Sequence, residues 1–243
     1  MKRTTLLCLS TICTLTASAG ADIFIRQQTT TSAGSAKNEQ TQTEENRVWI
    51  AADKMANIGS STSMIIRLDK NVAYSINNEK KTYVEIPLSS LATSDMSKEQ
   101  NEAMEQLPQM FAGMMKMAVS VEPTAETKVI RDWNCTKYIQ TVEMAGGKTQ
   151  SEMWATEDID VSQDLLKTFA AAFLAQNSAF KQLAADMMKE TEKIKGYVVS
   201  SSSYTKMMGH ESRSTMEVLE VKESDPPEGI YEVPANFKKR RYE

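Results

Sequence analysis

The chain has 243 residues, room for one large or two small domains, and its 41% hydrophobic and 25% charged content is that of a folded globular protein. That balance argues against a disordered chain and against a polytopic membrane protein. A net charge of −4 argues against a nucleic-acid partner, and a single histidine argues against a multi-histidine metal site or a phosphate relay. Methionine, at 16 residues, is over-represented.

The first residues read as an export signal. Lys2 and Arg3 form a basic start, Thr4 to Leu15 is uncharged and leucine-rich, and the small residues Ala17, Ala19 and Ala21 follow. The apolar run is shorter than the roughly 20 residues that a membrane crossing needs. Residues 1–21 are therefore expected to be a signal peptide cleaved after Ala19 or Ala21, and the protein to be periplasmic. Cys13 has Ser10 three positions earlier, where a lipid-modified start needs leucine. Removal would leave 26 basic against 32 acidic residues and one cysteine, Cys135, which cannot form an internal disulfide. Residues 22–243 are then expected to form one domain held by its own core.

Asp22 to Thr30 is strand-prone, Thr31 to Thr43 reads as a Ser/Thr/Asn/Gln-rich loop, and Arg47 to Ala51 resumes strand character. Ser63 to Asp69, Val72 to Ile76 and Thr82 to Ile86 alternate as a three-strand meander stopped at Pro87. This alternation predicts a sheet with one apolar and one wet face. Lys98 to Met117 changes period, with Met104, Leu107, Met110, Phe111, Met114 and Met115 at helical spacing, and Pro108 kinks or restarts that helix. Strands are predicted at Ala118–Glu122, Thr127–Arg131 and Cys135–Met144, the last in a hairpin through Gly146–Gly147 to Thr149–Ala155.

Ser162 is placed to cap a second helix, whose apolar face is Leu165, Leu166, Phe169, Phe173 and Leu174. Phe180, Leu183, Met187, Met188 and Ile194 mark a third helix that ends at Lys195–Gly196. Two strands, Tyr197–Met207 and Ser212–Lys222, turn at Gly209–His210 before Pro226–Pro227 and a basic tail, Lys238 to Arg241. About ten strands and three helices give an α+β domain with a mainly antiparallel sheet.

Several runs carry a resemblance: Trp49-Ile50-Ala51-Ala52-Asp53-Lys54-Met55, Arg67-Leu68-Asp69-Lys70, Lys80 to Pro87, Asp132 to Tyr138, and Glu152 to Thr156. They resemble a secreted bacterial family of unknown function related to the outer-membrane lipoprotein carrier fold group, over about Trp49 to Phe237. The resemblance implies a strongly curved, incompletely closed antiparallel β-barrel with about three helices covering a hydrophobic interior. In the carriers that interior holds the acyl chains of lipoproteins. No binding residue is carried over from them.

The methionine stripe points to chemistry because thioethers are flexible and repack around varied apolar shapes, although the same stripe also suits plain core filling. The expected ligand-binding residues are Met110, Phe111, Met114, Met115, Phe169, Phe173, Met187 and Met188. The expected function is non-enzymatic carriage of a hydrophobic or amphiphilic ligand: an acyl chain, a lipid, a lipoprotein or another acylated envelope partner. No cofactor, nucleic-acid partner or integral membrane segment is expected. One alternative is a structural or protein-interaction module with a packed interior. Another is Cu(I) handling through Met207, Met208 and His210, thioether and imidazole being soft-metal ligands. Cys135 lies in a predicted strand with His210 the sole candidate base in the chain, so an inert buried thiol is expected rather than a nucleophile.

Overall fold

The computed structural model describes residues 21–33, 40–92, 118–144, 146–175 and 181–241. The signal segment and the Lys98–Met117 helix, with Met110, Phe111, Met114 and Met115, lie outside the described residues. In chain order the strands are β1 (Asp22–Ala33), β2 (Gln40–Ile50), β3 (Lys54–Ile58), β4 (Thr62–Arg67), β5 (Val72–Asn77) and β6 (Thr82–Pro87). Next come the short helix α1 (Ser89–Ala92) and the strands β7 (Ala118–Ile130), β8 (Trp133–Met144) and β9 (Gly147–Thr156). Helices α2 (Gln163–Ala175) and α3 (Lys181–Thr191) follow, then β10 (Tyr197–Met207), β11 (His210–Ser224) and β12 (Lys238–Arg240).

The twelve strands of the described residues belong to one sheet in the order β12-β6-β5-β4-β3-β2-β1-β11-β10-β9-β8-β7. Every described pairing is antiparallel except β12 on β6, which is parallel. The chain is thus α+β, with an open, mainly antiparallel sheet whose two edges, β12 and β7, do not meet.

Of the polar stretch read as a loop, the described residues at both ends are sheet. β1 runs to Ala33 and β2 starts at Gln40, paired from Ile23↔Ile50 to Ala33↔Gln40. Threonine is β-branched and suits a pleated surface, and its hydroxyl can bond across strands. Thr30 and Thr43 hydroxyls lie 3.2 Å apart, Ser32 and Thr41 3.0 Å, and Thr31 and Ser214 3.1 Å. Low hydrophobicity had disguised a strand whose partners are hydroxyls.

The main core lies between one sheet face and the helices. Ile25, Val48, Ile66, Ile86, Val199 and Val218 pack there with Leu165, Ala171, Ala172 and Ala175 of α2 and Ala184 of α3. Contrary to the expectation of one wet face, the other face of β1–β6 is also covered. Phe24, Trp49, Ala56, Ile65 and Ile76 form a second buried cluster, closed by Ile230, Tyr231, Val233 and Phe237. The segment after Pro226–Pro227 folds back and adds β12 to β6, so the basic tail is anchored rather than free, although its three strand residues remain exposed. Arg67 fixes this cover. It donates to both Asp69 carboxylate oxygens, at 2.8 and 2.6 Å, and to the Tyr231 carbonyl at 3.2 Å. The Tyr231 hydroxyl donates to Asp22 at 2.5 Å, and Lys239 pairs with Glu85.

Turn chemistry sets the hairpins. Met208 (φ 50°) and Gly209 (φ 82°) both take the left-handed conformation that a tight two-residue hairpin demands, one residue earlier than the expected Gly209–His210. Gly196 (φ +83°) joins α3 to β10, and a Cβ there would collide with the Thr156 carbonyl oxygen. Edge strand β7 is guarded on its open side. Pro123 has no N–H to offer, and the Val121 N–H donates to the Glu190 carboxylate of α3 at 2.7 Å.

Candidate functional site

Helix α2 starts where Ser162 ends the loop, its carbonyl accepting from the Leu165 and Leu166 amides at 3.1 and 3.2 Å. That start directs Leu165, Ala171, Ala172 and Ala175 into the core. Leu166, Phe169, Ala170, Phe173 and Leu174 border a gap between α2, α3 and the sheet. The small alanines pack into the core cluster that also holds Ala184 of α3, and the bulky residues stand over the void.

The gap is a cavity of about 400 Å³. Met187 and Thr191 of α3, with Ile194 and Gly196 beyond it, form a second wall. The sheet supplies the floor: Gln27 of β1, Met55 and Asn57 of β3, Gln140 of β8, Met153 of β9, Tyr197 and Val198 of β10, and Met216 of β11. Most of this surface is aliphatic, thioether or aromatic.

Its polar groups are few and neutral. The Tyr197 hydroxyl donates to Gln27 Oε1 at 3.2 Å, and burial pushes the phenol well above its ordinary pKa, so it stays a neutral donor. Gln140 Nε2 approaches the Met187 sulfur at 3.5 Å. No charged side chain appears among the described lining residues.

Of the residues expected to bind ligand, Phe169, Phe173 and Met187 meet at this cavity. Phe173 is 62% exposed and stands at the mouth, whereas Met187 is buried beside Val142. Met188 stands apart from these three. It packs against the main core and does not border the cavity, because it follows Met187 by one residue and a helical step of about 100° turns it aside. Sequence reasoning missed the sheet floor. A usable signal existed, for Gln27 is in phase with Ile23 and Ile25, and Asn57 with Met55, so a polar residue occupies an apolar-phase position.

Met207 and His210 face each other as the closing pair of the β10–β11 hairpin, with Met208 81% exposed at its tip. Among the described residues no three of His, Cys, Asp and Glu gather to hold a metal. Cys135 is buried and its thiol is pushed above the ordinary value chiefly by burial, as suits an unreactive core cysteine. Among the described residues no helix is long and apolar enough to cross a membrane.

Residues 25–237 match the family model described as Domain of unknown function (DUF4412). The chain belongs to that family. No curated protein matches it. Among solved structures it is similar to PNGF-II at 13% identity and TM-score 0.37, with 89% of this chain and 31% of that chain covered. It thus spans under a third of the length of PNGF-II. It is also similar to a LolA superfamily protein from Nitrosomonas europaea, at 8% identity and TM-score 0.30 over 87% of this chain and 90% of that one. A putative outer membrane lipoprotein-sorting protein domain from Vibrio parahaemolyticus gives 6% identity and TM-score 0.30 over 86% and 87%. At these identities no side-chain chemistry carries across.

Proposed function

We propose that this chain is a non-enzymatic binding protein of the periplasm that holds the apolar chain of a lipid or acylated partner between its helices and a curved, half-barrel sheet. The observation that carries the reading is the largely apolar cavity of about 400 Å³. That volume falls within the roughly 300–1,000 Å³ of small-molecule sites. A chain placing about ten methylenes there gains about 8 kcal/mol, at about 0.8 kcal/mol each, toward offsetting the cost of association. The methionines Met55, Met153, Met187 and Met216 supply walls that adapt to chains of different shape. The same cavity speaks against an interaction module with a filled interior. For Cu(I) handling, the exposed hairpin tip offers no buried coordination pocket.

The test is extraction. Protein purified without detergent is extracted into organic solvent, and the extract is read by mass spectrometry. The expected result is co-purifying acyl-chain lipid in near-stoichiometric amount. Repeated extracts free of lipid, together with no uptake of a polarity-sensitive fluorescent acyl ester, would overturn the proposal.

A further inference from the structure

The polar groups inside the cavity are carboxamides and hydroxyls, and their placement gives the ligand a chemical class. Gln27, Asn57 and Gln140 rise from the sheet floor, and the buried Tyr197 hydroxyl donates to Gln27 Oε1 at 3.2 Å. With its oxygen so engaged, the Gln27 side chain has its amide N–H groups left to give, which suits a carbonyl or hydroxyl oxygen. Gln140 stands directly across from Ser151, whose strand neighbour is Ser203, followed in register by Ser214 and Thr31. Cross-strand partners share a face. The neutral hydrogen-bonding surface therefore runs on from the cavity across β9, β10, β11 and β1. Its hydroxyls pair among themselves, Ser151 with Ser203 at 2.8 Å and Thr31 with Ser214 at 3.1 Å.

An ionised carboxylate moved onto this surface would lose its hydration, and the described lining residues give it no cation in return. An ester or hydroxyl loses far less and finds matching donors and acceptors. We infer that the cavity selects an uncharged amphiphile, an acyl chain ending in an ester or hydroxyl group, over a free fatty acid. This inference rests on the carrier reading above and narrows it.

The probes are monodecanoylglycerol and decanoate, equal in acyl chain, titrated calorimetrically into the full chain at mildly alkaline pH, where the acid is ionised. The expected result is binding of the acylglycerol at least about tenfold tighter than the carboxylate. Gln27→Leu should lower acylglycerol affinity several-fold while changing decanoate affinity little, and Gln27→Lys, which supplies a cation, should shift the preference toward decanoate. Thermal melts establish that each variant is folded, and the Leu variant serves alone if the Lys variant is not. Decanoate binding as tightly as the acylglycerol, or a Gln27→Leu protein with an unchanged preference, would overturn this inference and leave the carrier reading standing. Binding of neither probe would overturn both.

Discussion

Ala170→Phe separates a real void from a packed interior. Ala170 lies on the cavity wall of α2, half-buried beside Val142, Met187 and Leu174. The substitution adds a ring of about six carbons, and if these occupy space that ligand carbons would otherwise fill, about 5 kcal/mol of chain burial is lost at about 0.8 kcal/mol per methylene. That corresponds to three to four decades in affinity at about 1.4 kcal/mol per decade. Allowing for partial swing of the ring, the expected loss is at least about a hundredfold, read by titration with the fluorescent acyl ester. Stability should hold or rise by up to about 1 kcal/mol, because the ring fills space already present. A protein with no void would instead suffer overpacking, at about 1–3 kcal/mol. A variant that melts lower by that amount, or that binds within about tenfold of the parent, would refute the reasoning.

Phe237→Ala should destabilise the fold by about 2 kcal/mol in chemical denaturation, below the cost of a fully buried phenylalanine, because this ring is half-buried over the second apolar cluster. Removing the exposed Lys239 charge should leave the denaturation midpoint in place. The acid limb of stability should carry the mark of Asp69, whose pKa is lowered from 3.8 to about 2, first by the Arg67 hydrogen bonds. A pKa lowered in the folded state means that the stabilisation is present above the unfolded value and disappears as the pH falls through the folded one. The stability gap between wild type and Asp69→Asn should therefore be full above about pH 4 and close toward about pH 2. A gap independent of pH would remove Asp69 from the account.

Much of the sheet was legible in the order of residues. The β4–β6 meander, the β8–β9 and β10–β11 hairpins and both long helices follow from alternation, helical spacing and turn residues such as Asn71 and Gly209. These signals join residues close in the chain, and local energies suffice to express them. The Thr31 to Thr43 stretch escaped because its cross-strand partners are hydroxyls rather than apolar side chains. Phe169, Phe173 and Met187 were visible as helix-face residues, but Gln27, Asn57 and Tyr197 were not visible as their counterparts.

What the linear order determined by itself was the set of hairpins and amphipathic faces, together with the abundance of adaptable thioethers. Only the tertiary structure decided that β1 joins β11 from the far end of the chain, with Asp22 opposite Ser224. It alone decided that residues 226–241 seal the second face of β1–β6, and that the flanks of α2 and α3 leave a gap over the sheet. No local pattern encodes such pairings, because each gains its contacts only after long stretches of chain have closed, and a cavity is a mismatch between surfaces that are separately well formed.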